Sequence, residues 1–127
     1  KNPVLVIEHI KKSNIKVGIS IKPDTDISKI RPYLNIVDLV LVMSVNPGYG
    51  GQKFIDITDK IKELKKISKE YNYNYLIEVD GGINNKTVKL VKDADLVVVG
   101  SYIVSSNNYK TAIDRIKSNL KWKKVLL

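Results

Sequence analysis

Four short apolar segments, each closed by glycine or proline, place the strongest constraint on the fold of this chain. They span residues 16–21, 37–45, 76–79 and 96–99. Valine, isoleucine and leucine dominate them, which is typical of strands buried on both faces of a sheet. Helical spacing separates the segments, and strands that alternate with helices indicate a parallel α/β sheet. On this pattern alone, a doubly wound sheet and a barrel both remain open.

The intervals between the segments predict helices. Candidate capping residues precede three of them: Asp56 or Thr58, then Asn84 or Asn85, then Asn107 or Asn108. Their apolar positions are Ile57, Ile61, Leu64 and Ile67, then Val88 and Val91, then Ala112, Ile113, Ile116 and Leu120. Residues 27–34 predict a short helix that Pro32 breaks or bends. Residues 4–12 favour an opening helix, with a strand as the alternative.

Length and composition limit the class of protein. A chain of 127 residues with 43% hydrophobic residues can form one domain with a buried core. No apolar run approaches the roughly 18–20 residues of a membrane span, and no segment resembles a signal peptide. Cysteine is absent, which excludes disulfides and thiolate metal sites. We therefore expect a cytosolic protein without a membrane partner. The chain begins with lysine rather than methionine, which is compatible with an upstream start.

The formal net charge of +9 suggests either a nucleic-acid partner or a lysine-rich surface. Lys60, Lys62, Lys65, Lys66 and Lys69 share a segment with apolar residues at helical spacing, which favours the solvated face of an amphipathic helix. We therefore expect no nucleic-acid partner. A positive field can still attract anionic sugar phosphates.

The residues that suggest chemistry follow the predicted strands, where parallel α/β proteins place their sites. These groups are Pro47, Gly48, Gly50, Gly51 and Gln52, then Asp80, Gly81 and Gly82, then Gly100 and Ser101. Glycines allow backbone N–H groups to approach an anion, although each group could also be an ordinary turn. Met43 is either core packing or a wall of the site.

Two common sites are excluded. Residues 48–53 lack the Gly-Lys-Ser or Gly-Lys-Thr of a nucleotide phosphate loop. His9 is the sole histidine, so histidine and cysteine cannot assemble a zinc site within this chain. We expect His9 on a helix surface.

Residues 40–54 (VLVMSVNPGYGGQKF) closely resemble the signature of the ribulose-phosphate 3-epimerases. Residues 16–25, 78–84 and 99–101 resemble further segments of that family in the same order. The resemblance implies a (β/α)8 TIM barrel. A complete barrel needs about 200 residues or more, so this chain can form only part of one. It would be a single domain over residues 1–127. That domain would supply strands five to eight, the C-terminal half, without the N-terminal half.

The implied activity interconverts D-ribulose 5-phosphate and D-xylulose 5-phosphate in the pentose phosphate pathway. In that family two aspartates move the C3 proton on opposite faces, and a divalent metal, commonly zinc, with iron or manganese as alternatives, holds the substrate oxygens. The resemblance makes Asp80 the second catalytic aspartate and a metal ligand. It also implies roles for the other residues of these segments. Gly48, Tyr49, Gly50 and Gly51 would form a mobile loop, and Met43 would lie beneath the intermediate. The phosphate-binding residues would be Gly81, Gly82, Gly100 and Ser101.

The family's first aspartate, its two histidine ligands and a substrate-binding serine belong to strands that this sequence lacks. His9 does not replace them, because it precedes the first predicted strand. We therefore expect the chain alone to be inactive, as part of a longer epimerase or as a truncated relative. A six-carbon ketose phosphate epimerase and a non-catalytic phosphate-binding module are the alternatives. Exposed strand edges lead us to expect a homo-oligomer, completion by missing segments, or aggregation.

Overall fold

The computed structural model describes residues 2–120 and 125–126 as a parallel sheet with helices along the chain between its strands. The strands are β1 Gly18–Ile21, β2 Leu39–Met43, β3 Leu76–Asp80, β4 Leu96–Val98 and β5 Val125–Leu126. All neighbouring pairs are parallel, and the spatial order follows the sequence, β1-β2-β3-β4-β5. The predicted α/β class with a parallel sheet is confirmed. The structure adds β5, which the sequence did not predict.

The α-helices are α1 Pro3–Lys12, α2 Thr58–Tyr71, α3 Ser101–Val104 and α4 Tyr109–Ser118. The Asn2 side chain accepts the Val4 N–H at the start of α1, so the opening segment is a helix. The Asn108 side chain caps α4 by accepting the Thr111 N–H, as predicted. At α2 the cap position is Ile57, but the Asp56 carboxylate still accepts the Thr58 N–H. Side chains therefore satisfy donors at each of these helix starts.

Three local predictions were wrong. The segment after Asn84 is a 3-10 helix, Thr87–Val91, rather than an α-helix. Residues 27–34 form two 3-10 helices, Ile27–Lys29 and Arg31–Tyr33, and Pro32 lies in the first turn of the second, where its missing N–H breaks no helical bond. Strand β2 is also shorter than the predicted 37–45. Gly100 and Ser101 do follow the fourth strand, as predicted, and Ser101 begins α3.

The two faces of the sheet differ in burial. Side chains on one face are almost fully buried: Val40, Val42, Ile77, Val79 and Val97. Helical residues such as Ile61, Leu64 and Ile116 belong to the same hydrophobic cluster, so the helices cover this face. On the opposite face Leu39, Leu41 and Met43 of β2 are only half-buried, and Leu76 of β3 is exposed. The described residues thus complete one hydrophobic layer and leave the second sheet face open.

The single domain predicted over residues 1–127 includes Lys1, 121–124 and Leu127, which lie outside the described residues. His9 is exposed on α1, as expected. Among the described residues, none of the helices is long and apolar enough to cross a membrane.

Candidate active site at the carboxyl ends of the strands

A cleft of about 850 Å³ lies at the carboxyl ends of β2, β3 and β4. The structure brings every predicted site residue to this cleft: Met43, Gly48, Tyr49, Gly50, Gly51, Asp80, Gly81, Gly82, Gly100 and Ser101. Lys53, Asn84, Thr87 and Tyr102 also line it. Parallel strands place their C-terminal loops at one edge, so groups from three separate loops meet here.

Asp80 is the last residue of β3 and projects from the open face of the sheet. It pairs in register with Met43 of β2 and Val98 of β4, so both neighbours along this row are apolar. Burial raises the pKa of the Asp80 carboxyl above its usual value of 3.8, because a charged carboxylate is poorly solvated there. A carboxyl group with a raised pKa inside a cleft is suited to accept and return a proton.

Glu78 lies on the same face of β3, two residues before Asp80, and is half-buried. Burial raises the pKa of the Glu78 carboxyl, and the neighbouring Asp80 carboxylate raises it further. Sequence reasoning did not single out Glu78. Alternate residues of a strand share a face, so the strand pattern already placed Glu78 on the same face as Asp80. The proximity of the two carboxyl groups was nevertheless not inferred from the sequence.

Gly81 and Gly82 form a turn that only glycine can make. Their φ angles are +126° and +62°, in the region that side chains disfavour. A Cβ on Gly81 would lie 2.6 Å from Val45 Cγ2, and one on Gly82 would lie 2.6 Å from the Phe54 nitrogen. The turn therefore packs directly against both ends of the loop that follows β2.

Two hydroxyl groups hold this turn, and sequence reasoning missed both. Ser44, which is fully buried, donates from Oγ to the Gly81 carbonyl at 2.5 Å. Thr87 donates from Oγ1 to the Gly82 carbonyl at 2.7 Å. A serine within the apolar run of 40–45 was the available signal for Ser44. Nothing in the sequence pointed to Thr87.

The loop of residues 46–53 is held by its own polar groups. Gln52 Nε2 donates to the Asn46 carbonyl at 2.7 Å and to the Tyr49 carbonyl at 2.9 Å. The loop is closed at its base, where the Ile55 N–H donates to the Ser44 carbonyl. Its tip approaches Ser101, since a Cβ on Gly50 would lie 3.6 Å from Ser101 Oγ. The Tyr49 side chain is 76% exposed, which leaves it available to a ligand.

The described residues do not by themselves form a metal site. They contain no group of three or more histidine, cysteine, aspartate or glutamate side chains that could hold a metal ion. Asp80 offers one carboxylate in the cleft, whereas zinc sites in enzymes use three protein ligands or more. A metal at Asp80 would therefore need ligands from beyond these residues.

The fold and the cleft define a parallel α/β protein whose strand ends combine a carboxyl group with glycine-rich turns. Residues 1–104 match the model of the ribulose-phosphate 3 epimerase family. This chain belongs to that family.

Individual relatives agree with the family match. The chain is 45% identical over 121 residues to a ribulose-phosphate 3-epimerase of Helicobacter pylori, an alignment that covers 93% of this chain and 56% of the relative. It is 42% identical to a ribulose-phosphate 3-epimerase of Bacillus subtilis, covering 89% of this chain and 54% of the relative. For the Escherichia coli protein of the same name, the identity is 38%, with coverage of 90% and 52%. The chain thus spans about half the length of these curated relatives.

Proposed function

We propose that the protein containing this chain is a ribulose-phosphate 3-epimerase, which interconverts D-ribulose 5-phosphate and D-xylulose 5-phosphate. The observation that carries the proposal is the shared cleft: Asp80 meets the glycine turns of two further loops at one edge of the sheet. Membership of the epimerase family supports the same assignment.

We also propose that β1 to β4 are strands five to eight of a (β/α)8 barrel, within one domain over residues 1–127 that forms the C-terminal half. Strand β5, which pairs with β4, is additional to these four. Three features support this placement. The strands are all parallel and lie in sequence order, the relatives are about twice as long, and one sheet face remains only half-buried. In a closed barrel, that face would be the interior, packed in layers by side chains from other strands.

In the proposed reaction, Asp80 exchanges a proton with C3 of the sugar. The apolar neighbours Met43 and Val98 limit hydration around the carboxyl, which keeps its pKa raised. Backbone N–H groups of the turns at Gly81, Gly82, Gly100 and Ser101 would hold the phosphate. The segment Gly48, Tyr49, Gly50 and Gly51 would cover the sugar and exclude water.

Inversion at C3 requires a second acid/base group on the opposite face of the sugar. The enediolate formed also needs charge stabilisation, for which a divalent metal (zinc, iron or manganese) remains our prediction, with Asp80 as one ligand. Because the described residues lack a complete ligand set, we propose that the 127-residue chain alone does not turn over substrate. A cytosolic location and a homo-oligomeric state also stay predictions.

The test compares the full-length protein with the 127-residue chain, using D-ribulose 5-phosphate and a six-carbon ketose phosphate as substrates. We expect turnover of the five-carbon substrate by the full-length protein and none by the isolated chain. Preference for the six-carbon substrate would redirect the assignment to a neighbouring epimerase. Full activity of the isolated chain would overturn the proposed division of the site.

A further inference from the structure

Consecutive glycines at positions 81 and 82 leave the peptide planes of a phosphate-binding turn free to rotate. Each peptide plane carries an N–H on one side and a carbonyl on the other, and the two point in opposite directions. Glycine allows such planes to rotate with little steric resistance. A rotated plane would direct a carbonyl oxygen, rather than an N–H, at the anion. Something must therefore fix the orientation of both planes.

We propose that Ser44 and Thr87 act as positioning residues that orient the Gly81–Gly82 turn for phosphate. This inference rests on the proposed function and deepens it. Ser44 Oγ draws the Gly81 carbonyl towards the buried interior, and Thr87 Oγ1 draws the Gly82 carbonyl towards the 3-10 helix. The N–H groups on the opposite sides of these two planes belong to Gly82 and Ile83, and both residues line the cleft.

The hydrogen-bond pattern of these N–H groups agrees with this role. Within residues 2–120 and 125–126, neither the Gly82 N–H nor the Ile83 N–H donates to a protein acceptor. Unpaired backbone donors beside a cleft are the groups that bind an anion. The geometry therefore leaves two donors available, while the two carbonyls are already satisfied.

Thr87 is itself held in place by Asn84. The Asn84 N–H donates to Thr87 Oγ1 at 2.9 Å, and Asn84 Oδ1 accepts the Thr87 N–H at 3.0 Å. Thr87 Oγ1 thus accepts one bond from Asn84 and donates its single proton to the Gly82 carbonyl. The hydroxyl therefore has a fixed direction.

Ser44 also connects the turn to the loop after β2. Its N–H donates to the Asp80 carbonyl at 2.8 Å, and its own carbonyl accepts the Ile55 N–H at 2.7 Å. One buried residue thus contacts the strand end that carries the proposed proton-transfer group, the turn, and the base of the covering loop. The Ser44 side chain is itself fully buried.

The experiment removes each hydroxyl in the full-length protein and measures both catalysis and binding of inorganic phosphate. Ser44→Ala and Thr87→Val are expected to raise KM and the Kd for inorganic phosphate by about threefold to tenfold, the effect of losing one hydrogen bond. We expect a smaller change in kcat and an unchanged pH profile of kcat, because neither residue transfers the proton.

Two variants serve as controls. Thr87→Ser keeps the hydroxyl and should restore phosphate affinity to near the wild-type value. Ser68→Ala removes a half-buried hydroxyl that donates to the Tyr73 carbonyl at 2.8 Å, outside the residues that line the cleft. It should lower thermal stability without changing the Kd for phosphate. A purely structural role for Ser44 and Thr87 would make them behave like Ser68.

The inference is overturned if folded Ser44→Ala and Thr87→Val bind phosphate as the wild type does, or if Thr87→Ser is as defective as Thr87→Val. Should Ser44→Ala fail to fold, the Thr87 pair decides. A wild type that lacks epimerase turnover contradicts the proposed function alone, since the phosphate measurements still test the positioning role. Turnover with unaltered phosphate affinity in the variants contradicts the positioning role alone.

Discussion

At the scale of single residues, the carboxyl group of Asp80 has exchanged part of its hydration for apolar neighbours. Asp80→Asn keeps the shape of the side chain but removes its proton transfer, so we expect kcat of the full-length protein to fall by about 10²- to 10⁴-fold. Stability should not suffer. Burial raises the pKa of Asp80, so ionisation destabilises the native state as pH rises from 3.8 through the folded pKa, and asparagine avoids this loss.

The measurements for Asp80→Asn are steady-state kinetics and urea unfolding at neutral pH. Asp93→Asn provides the control, because Asp93 is an exposed aspartate that does not line the cleft. It should leave kcat unchanged. An Asp80→Asn variant that is folded and fully active would contradict the proposed proton transfer.

Tyr75 offers a prediction about alkaline pH. Its side chain is 4% exposed and donates to the Leu64 carbonyl, and burial raises the pKa of Tyr75 to about 12. Between pH 10 and about 12 the unfolded chain releases this proton while the native state keeps it. The stabilisation is complete below pH 10 and is lost as pH rises through this window.

Urea unfolding at pH 9 and pH 11.5 measures the Tyr75 effect. The wild type should lose stability between these values, and Tyr75→Phe should lose less, since phenylalanine does not ionise. Tyr75→Phe should also cost about 0.5–1.5 kcal/mol at pH 9 through the lost hydrogen bond. Tyr109→Phe is the control at an exposed tyrosine and should leave the pH dependence unaltered.

The residues of the site differ in how far sequence could identify them. Asp80 and the glycine turns follow apolar segments directly, so their position at a strand end could be predicted from local pattern. Ser44 and Thr87 act on backbone carbonyls, and Ser44 reaches a residue 37 positions away. Every residue type has a backbone carbonyl, so the sequence does not indicate which residue accepts such a hydrogen bond. These contacts can be identified only in the folded structure.

At the scale of elements, the turn after β3 and the loop after β2 form one packed unit. Gly82→Ala would force a side chain into a left-handed conformation and against the Phe54 backbone. Left-handed strain alone costs about 1 kcal/mol or more, and displacement of Phe54 adds to it. We expect Gly82→Ala to destabilise the protein by about 2–4 kcal/mol and to weaken phosphate binding.

Gly51→Ala separates strain from packing in this prediction. Gly51 also has a positive φ, of +72°, but no atom lies within 4 Å of the place its Cβ would occupy. Its substitution should therefore cost only the strain, about 1 kcal/mol. Chemical denaturation of both variants provides the test. Equal losses for the two would refute the tight packing of the turn against the loop.

The secondary structure shows where local pattern succeeds and where it fails. The apolar strands and the amphipathic helices α2 and α4 were predictable because their burial repeats at a fixed period. Helices were also predicted near Ile27–Lys29 and Thr87–Val91, but their 3-10 form was not, because such short segments show no clear period. Strand β5 has only two residues and offered no apolar pattern between turn signals.

At the scale of the whole molecule, the two faces of the sheet are buried to different extents. Leu41 lies at the centre of the open face, in register with Ser20 of β1 and Glu78 of β3. Apolar side chains left half-exposed on a sheet face favour association with another surface. We therefore expect the isolated 127-residue chain to self-associate with increasing concentration and to bind a hydrophobic dye such as ANS.

Sedimentation velocity of the isolated chain, from about 5 to 200 μM, tests this expectation, because an interface large enough for stable association would shift the chain to heavier species. Leu41→Glu introduces a charge on the open face and should shift the chain towards monomer, with reduced dye binding. Leu90→Glu is the matched control, since Leu90 is 52% exposed in the 3-10 helix rather than on the sheet. In the full-length protein the same Leu41→Glu change should instead destabilise folding, because the proposed barrel would bury that face and an unpaired charge with it. A monomeric isolated chain without dye binding, together with a full-length protein that tolerates Leu41→Glu, would contradict the proposed half barrel.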